Sequence, residues 1–421
     1  MKNRYALFLL ALPALFSSCT EPETTGQSSR LSGLWRGVIQ LQEQELPFHF
    51  RLSGQLPDSL TLTLINGEEQ LNAGLVRLEQ DTLIMPMHIF DTEVRAALTG
   101  TDKLTGYWKK SYEDDFRLPF RASKGETHRF ETTDSEPTTD LSGRWAVQFT
   151  SESEAGKRYP AVGEFVQKGG QLTGTFLTPS GDYRYLEGNI SGNTFSLSAF
   201  DGERAFLFKG QAQDSNRLEG TFWSGKGRKE RWTARRDSLA SLPSADSLTY
   251  LKEGYERIEF SFPDLQGKQV SLEDPRYQNK VVILQLFGSW CPNCLDETRF
   301  LADWYRRNQQ QDVAIIGLAY EKKGDYDYAR QRVQTMVEKL NVGYDFLIAG
   351  SSDPQEAAKT LPMLNEVGIF PTTLFLDKAH RIRRIHTGFS GPGTGAAYEK
   401  WTREFEQLVR ELLQEPAPAN P

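Results

Sequence analysis

The chain has 421 residues, a formal net charge of −7 and a hydrophobic residue content of 38%. That length is enough for about two to three compact cores. The densest basic cluster, Arg381, Arg383 and Arg384, alternates with apolar residues as an exposed strand would. An acidic chain without a long basic tract argues against nucleic acid as a partner.

Residues 1–18 have the composition of an export signal. Lys2 and Arg4 make a basic start, and residues 5–16 form an apolar run that is interrupted by Pro13. The run is too short to span a bilayer, which distinguishes a cleaved signal from an anchor helix. No other segment of the sequence is long and apolar enough to cross a membrane.

Cys19 follows two serines, and the segment resembles a bacterial lipoprotein signal in which Cys19 is lipidated and becomes the mature N-terminus. Phe16 departs from that pattern, because a small or branched residue is usual there. Ordinary signal cleavage near Ser18 is the alternative. Residues 19–30 are polar and predict a flexible tether. The resemblance implies a lipid-anchored protein of the bacterial cell envelope, on the periplasmic side or at the cell surface.

An internal repeat organises the first half of the chain. Leu31-Ser32-Gly33-Leu34-Trp35 recurs as Leu141-Ser142-Gly143-Arg144-Trp145, and runs of alternating apolar and polar residues separated by turn signals follow each copy. We predict β-rich repeats over residues 31–130 and 141–237, each with about eight antiparallel strands in a small barrel or sandwich. Gly33 and Gly143, which occupy the same position in the two copies, are predicted to mark bends where the backbone approaches closely. Substrate docking is an open role for the repeats.

The second half of the chain has a different pattern. Residues 238–255 are a predicted linker, with a short helix over residues 247–255. We then predict strands over residues 281–287, 313–316, 344–348, 372–376 and 382–385, and helices over residues 292–309, 326–340 and 396–413. Strands that alternate with helices predict an α/β sheet covered on both faces.

The motif Trp290-Cys291-Pro292-Asn293-Cys294 follows the first of these strands. Two thiols three positions apart at the start of a helix can close a disulfide and reopen it. The free N–H groups and the macrodipole of a helix N-terminus favour the thiolate of Cys291, and Cys294 is within reach to resolve a mixed disulfide. A zinc half-site and two structural thiols are the alternatives, but zinc needs two further ligands and the sequence offers no second pair.

No other group in the sequence predicts a cofactor. The chain has three cysteines, so the pair is all that remains once Cys19 is assigned to the signal. Met85-Pro86-Met87-His88 contains thioethers, which bind Cu(I), but a strand end with buried methionines is the preferred interpretation. We therefore predict no metal site, and the Cys291–Cys294 disulfide as the redox group.

The second half of the chain resembles the TlpA/ResA-like thiol-disulfide oxidoreductases of the thioredoxin superfamily. The resemblance lies in Phe262-Pro263-Asp264-Leu265, in the cysteine motif and in Ile369-Phe370-Pro371-Thr372-Thr373, and it covers residues 256–415. It implies a multidomain fold, in which two β-rich repeats, each an antiparallel barrel or sandwich, precede an α/β thioredoxin-like domain.

The resemblance also implies roles for the residues around the pair. Trp290 would shield the nucleophilic sulfur, and Pro371 would be a cis-proline opposite the disulfide. Trp290, Phe370 and Thr372 would bind substrate, which pairs with the backbone of Phe370. An ordinary trans proline is the alternative for Pro371. The enzymatic interpretation fails if both thiols lie deep inside, out of contact with solvent, or if Pro371 lies far from them.

Glu297 lies six residues after Cys291, as a buried glutamate does in ResA-like members. Such a carboxylate, with its pKa raised by burial, would accept the proton of Cys294 during resolution. In thioredoxins a buried aspartate acts from the position that Gln285 occupies here, and Gln285 cannot titrate. A solvated helix carboxylate is the alternative for Glu297, and Asp296 is expected to be its exposed neighbour.

We predict an exported, membrane-tethered enzyme that reduces protein disulfides by dithiol exchange through Cys291 and Cys294. Its partners would be protein or peptide disulfides and a membrane redox partner that supplies electrons. A disulfide-donating oxidase is the alternative with the same chemistry, and a ligand-binding adaptor with a structural thioredoxin fold is the alternative of a different class. A peroxidase is disfavoured, because the cysteines form a tight pair without a Thr-x-x-Cys motif.

Overall fold

The computed structural model describes residues 31–133, 135–152 and 156–417. The predicted signal, the tether and the lipidation site Cys19 lie outside these residues. Within the described ranges, no helix combines the length and the apolar character needed to cross a membrane.

The first part of the β-rich region is one antiparallel sheet of nine strands, against about eight predicted. Its strands are β1 (Gly33–Leu41), β2 (Gln44–Ser53), β3 (Thr61–Asn66), β4 (Glu69–Leu75), β5 (Arg77–Glu79), β6 (Thr82–Pro86), β7 (Thr92–Thr99), β8 (Lys103–Lys110) and β9 (Arg117–Lys124). Their order is β4-β3-β2-β1-β9-β8-β7-β6-β5. The first and last strands in sequence therefore meet at the centre of the sheet.

The second sheet also has nine antiparallel strands. They are β10 (Gly143–Ser151), β11 (Arg158–Lys168), β12 (Gln171–Thr178), β13 (Gly181–Asp182), β14 (Leu186–Ser191), β15 (Thr194–Phe200), β16 (Ala205–Asp214), β17 (Arg217–Ser224) and β18 (Arg228–Arg236). The order is β11-β10-β18-β17-β16-β15-β14-β12-β13, and β11 also pairs with β12. That last pairing closes a barrel, as predicted, and the short strand β13 is added beside β12.

The repeated motif has the same local structure in both sheets. Trp35 and Trp145 are each 0% exposed, and each indole N–H donates to the carbonyl of the leucine four residues earlier, at 2.8 Å and 3.0 Å respectively. Gly33 has φ +138° and Gly143 has φ +114°, a region that L-residues with side chains rarely adopt. The bends predicted at these glycines are therefore present.

The α/β unit contains a five-stranded mixed sheet with the order β23-β22-β21-β24-β25. The strands of this sheet are β21 (Val281–Phe287), β22 (Val313–Glu321), β23 (Asp345–Ser351), β24 (Thr372–Leu376) and β25 (Ile382–Thr387). Two short strands before it, β19 (Phe262–Pro263) and β20 (Gln269–Val270), form a separate hairpin. The α-helices of the unit are α1 (Pro292–Asn308), α2 (Tyr326–Leu340), α3 (Pro354–Thr360) and α4 (Ala396–Gln414), and 3₁₀ turns occur at Ala245–Ser247, Pro275–Tyr277 and Pro392–Thr394. β21 is parallel to β22 and antiparallel to β24.

The predicted helix over residues 247–255 is wrong. Only Ala245–Ser247 forms a 3₁₀ turn, and the backbone N–H of Lys252 donates to the Met363 carbonyl at 2.8 Å instead of to its own segment. Helix α3 was not predicted, although Asp353 caps it and Pro354 occupies its first turn, which are ordinary start signals.

The described residues form one apolar core inside the second sheet and a larger one that the first sheet shares with the α/β unit. The interior of the second sheet forms a cluster of its own, centred on residues such as Trp145 and Phe208. A second cluster contains buried residues of both the first sheet and the α/β unit. Phe200, on the outside of the barrel, belongs to this shared cluster and contacts Phe48, with ring centroids 4.6 Å apart. The first sheet thus joins the other parts through apolar contacts.

Candidate active site

The two cysteines lie at the start of α1, directly after the turn that follows β21. Cys291 is the N-cap residue, and Pro292 occupies the first turn, where a missing N–H costs nothing. The backbone N–H of Cys294 donates to Cys291 Sγ at 3.2 Å, which favours negative charge on that sulfur. Cys291 and Cys294 are joined by a disulfide.

The two sulfurs differ in their access to solvent. Cys294 is 0% exposed and Cys291 is 5% exposed. Cys291 nevertheless lines a cavity of about 410 Å³. This arrangement suits a nucleophile that meets substrate and a resolving thiol that lies behind it. Of the two cysteines, Cys291 keeps the contact with solvent that the enzymatic interpretation requires.

The loop before β24 faces the disulfide. The peptide bond between Phe370 and Pro371 is cis, as the family resemblance implies, and the Phe370 carbonyl oxygen lies 3.5 Å from Cys291 Sγ. The Thr372 hydroxyl donates to the Ile369 carbonyl at 2.8 Å. Thr372 is 2% exposed, so in this structure its side chain holds the loop together.

Trp290 forms one side of the cavity next to Cys291. Its indole N–H donates to the Tyr320 carbonyl at 2.9 Å, and its ring meets that of Phe370 edge to face, with centroids 6.1 Å apart. The Lys322 ammonium lies 3.5 Å from the centroid of the Trp290 ring, a cation–π contact. Lys322 was not singled out in the sequence, although it directly follows the buried strand β22.

Glu297 is fully buried, so the alternative of a solvated carboxylate is wrong. Its carboxylate accepts hydrogen bonds from the Gln285 amide at 2.8 Å and from the Thr373 hydroxyl at 2.7 Å. The same Gln285 amide donates to the Cys294 carbonyl at 3.4 Å. Burial raises the pKa of Glu297 to about 7, so this carboxyl can exchange a proton near neutral pH.

A second buried glutamate, Glu321, was missed in the sequence. It accepts hydrogen bonds from the backbone N–H and the hydroxyl of Ser289, at 2.8 Å and 2.9 Å, and thereby holds the turn that precedes the cysteine motif. Burial raises its pKa to about 7. Glu321 ends β22, the middle one of the three parallel strands. Sites in α/β sheets commonly lie at the carboxyl ends of parallel strands, and this position was the signal available in the sequence.

Asp296 is not exposed, contrary to the prediction. It is 9% exposed and forms an ion pair with Arg184, whose other guanidinium nitrogen pairs with Glu69. Arg184 Nη1 also lies 3.4 Å from the Pro292 carbonyl oxygen, to which it donates. Arg184 therefore connects both β-sheets to the first turn of α1.

Part of the cavity wall comes from the β-rich region. It includes Lys110 at the end of β8, Tyr112 in the loop that follows β8, and Ser180, Glu203 and Arg204 in loops of the second sheet. A larger cavity of about 1140 Å³ lies between the second sheet, the linker and α4. The cysteines do not line that larger cavity, so the smaller one is the candidate active site.

A cysteine pair at a helix start, opposite a cis-proline and on this mixed sheet, defines a thioredoxin-like thiol-disulfide oxidoreductase site. In agreement, residues 254–385 match the family model described as AhpC/TSA family. The predicted resemblance to ResA-like thiol-disulfide oxidoreductases is confirmed for this part of the chain, and the cysteine pair fits dithiol exchange.

Two relatives carry the name thiol-disulfide oxidoreductase ResA. The chain is 24% identical over 161 residues to thiol-disulfide oxidoreductase ResA of Halalkalibacterium halodurans, covering 38% of this chain and 78% of the relative. It is 27% identical over 142 residues to ResA of Geobacillus thermodenitrificans, covering 33% and 72%. A solved structure of a putative protein disulfide isomerase from Bacteroides thetaiotaomicron matches 40% of this chain and 93% of its own, with 22% identity and a TM-score of 0.31.

Proposed function

We propose that this protein is an exported, lipid-anchored reductase of disulfides in proteins or peptides. The observation that carries the proposal is the hydrogen bond from the Cys294 N–H to Cys291 Sγ at 3.2 Å, at the one sulfur of the pair that lines a cavity. A sulfur that is both stabilised as a thiolate and reachable can act as the nucleophile.

The cycle starts from the reduced pair. The Cys291 thiolate attacks one sulfur of the substrate disulfide, which breaks that bond and releases the first substrate thiolate. A mixed disulfide to Cys291 remains. Cys294 then attacks Cys291 Sγ and displaces the second substrate thiolate, so that two electrons have passed to the substrate and the Cys291–Cys294 disulfide has formed.

Glu297 is the proton acceptor in the second step of this proposal. The Cys294 thiol must lose a proton before it attacks, and the buried carboxylate lies near Cys294, since the Gln285 amide donates both to this carboxylate and to the Cys294 backbone carbonyl. Glu297→Gln is expected to slow resolution of the mixed disulfide by about 100-fold, with attack by Cys291 nearly unchanged. Glu321→Gln is the matched control, since Glu321 is equally buried but bonds to Ser289. If both steps in Glu297→Gln proceed at the rates of the parent protein, Glu297 is not the proton acceptor.

Reduction is the proposed direction, and electrons then come from a membrane redox partner. The midpoint potential of the pair tests the direction: about −270 mV is expected for a reductase, and about −120 mV would favour the oxidase.

Cys19→Ala is expected to release the protein from membranes, and continued membrane association would contradict the lipid anchor. A Cys291→Ser, Cys294→Ser double variant that supports normal cellular function would favour the adaptor.

A further inference from the structure

The β-rich region supplies part of the wall of the cavity that Cys291 lines. The cavity is lined by Trp290, Pro292 and Phe370 of the α/β unit and by Tyr112, Glu203 and Arg204 of the β-rich region. The contact continues through Lys322, whose ammonium lies 3.5 Å from the Trp290 ring centroid and 5.9 Å from that of Tyr112. The site is therefore built from both halves of the chain.

Hydrogen bonds within the β-rich region hold its part of the cavity wall, the β-side wall, in place. Glu203, which is 4% exposed, accepts from Lys110 Nζ at 2.6 Å and from the Tyr112 hydroxyl. Arg204 is fixed from behind by Asp201, with Nε 3.1 Å from the carboxylate. These contacts connect the first sheet to the loop between β15 and β16, so the wall is a packed surface.

The same wall is attached to the cysteine motif itself. Arg204 donates to the Asn293 side-chain oxygen at 2.6 Å, and the Asn293 amide donates to the Asp182 carbonyl at 3.3 Å. A Cβ atom at Gly181 would lie 2.7 Å from Asn293 Nδ2, so the backbone approaches this side chain closely. Together with the ion pair between Arg184 and Asp296, these contacts hold the second sheet against the first turn of α1.

The consequence is a restricted approach to Cys291, which is 5% exposed. A cavity of about 410 Å³ lies within the range of about 300–1,000 Å³ that is typical of pockets for small ligands. A folded partner cannot enter such a space, since even a 100-residue domain has a radius of gyration of about 13 Å. A short extended chain can enter, and the Phe370 backbone beside the sulfur offers it a hydrogen-bonding partner.

We infer that the β-rich region is a specificity-determining part of the active site, which selects disulfides carried by short, extended peptide segments and excludes those on the surface of folded proteins. This inference rests on the proposed function and narrows its substrate class. The selection is steric: the loops at Ser180–Arg184 and Asp201–Arg204 occupy the surface on which a folded substrate would otherwise dock.

The test compares two substrates of the full chain after reduction of its cysteine pair. One is an unstructured peptide with a single disulfide, and the other is a small folded protein with a solvent-exposed disulfide. Single-turnover rates are measured for both, and for 2-hydroxyethyl disulfide. The peptide is expected to react at least about tenfold faster than the folded protein, and this ratio requires no variant.

Two variants then loosen the wall by independent means. Gly181→Ala inserts a methyl group against Asn293 at a residue with φ +133°, and Arg184→Met removes the ion pair to Asp296. In either variant the ratio of peptide rate to folded-protein rate is expected to fall toward one. Arg217→Met, which removes an exposed ion pair on the same sheet, is the matched control and is expected to keep the parent ratio.

Each outcome separates the inference from the proposed function. A parent ratio near one, or a ratio that neither loosened variant changes, overturns the inference while dithiol exchange stands. A reduced chain that fails to react even with 2-hydroxyethyl disulfide overturns the proposed function, and the inference with it. If Arg184→Met does not fold, the parent ratio and Gly181→Ala still decide the question.

Discussion

The α/β unit and its interface with the second β-sheet both bury acidic side chains, but they neutralise them differently. Inside the unit, Glu297 and Glu321 accept hydrogen bonds from neutral groups, and burial raises the pKa of each to about 7. At the interface, Asp296 is paired with Arg184. Charge inside the unit therefore changes with pH near neutrality, whereas at the interface the buried partner of the carboxylate is an arginine that stays protonated.

The largest expected effect is at the interface. Arg184→Met takes the arginine from Glu69 and leaves Asp296 paired with Arg299, and removing one partner of a buried pair typically costs about 3–5 kcal/mol. The free energy of unfolding from urea titration should fall by that amount. Arg217→Met, whose arginine is exposed, should leave it unchanged. A loss for Arg184→Met as small as that for Arg217→Met would mean that the interface charges are solvated in solution.

A second variant sharpens this result. Asp296→Asn in the Arg184→Met background removes the buried charge that the first change leaves with Arg299 as its partner. The double variant should therefore be more stable than Arg184→Met alone, because the amide is less costly to bury than a carboxylate. If the second change adds to the loss, the ion pair between Asp296 and Arg299 outweighs the cost of burying the carboxylate.

An intermediate effect is expected from the pH-dependent glutamates. Both have a folded-state pKa of about 7, above the value of about 4.3 for an exposed glutamate, so the folded state binds more protons between these values. The free energy of unfolding should therefore be highest below about pH 4.3 as far as these groups contribute, and should fall as the pH rises through 7.

Glu297→Gln and Glu321→Gln should each reduce the difference in unfolding free energy between pH 5 and pH 8, as measured by urea titration. Glu219→Gln, at an exposed position in β17, is the control and should leave this difference intact. A difference that persists in both buried-site variants would show that other groups carry it.

The smallest effect concerns Lys322, a cation that lines the cavity together with Cys291. Burial lowers the pKa of Lys322, but a protonated ammonium in the same cavity still favours the thiolate. Lys322→Met should raise the Cys291 thiol pKa by about half a unit, measured from the pH dependence of iodoacetamide alkylation. An unchanged profile would assign the thiolate's stability to the helix start alone.

Local sequence patterns predicted the parts of the site that depend on local geometry. The cysteine pair at a helix start, the cis peptide at Pro371 and the buried position of Glu297 followed from the motifs and from the family that they resemble. The barrel of the second sheet followed from the alternating strands and the repeated Trp145 motif. In each case neighbouring residues carry enough of the information.

The interface could not be predicted in this way. Arg184 and Asp296 are far apart in sequence, and neither lies in a recognisable pattern, so Asp296 was expected to be exposed. The segment over residues 247–255 was expected to be helical, but its backbone pairs with residues around Met363 instead. Contacts between distant segments override local propensity, and a single sequence gives no signal for them.

The contacts of Asn293 have a consequence for how such an enzyme can be altered. This residue is one of the two between the cysteines, and it donates to the Asp182 and Phe389 carbonyls while accepting from Arg204. Retuning the redox couple by exchanging the dipeptide would therefore disturb the fit between the two halves of the molecule. A variant with a new dipeptide and an altered reduction potential therefore also needs a redesigned barrel loop, because otherwise the contacts between the barrel and α1 are lost.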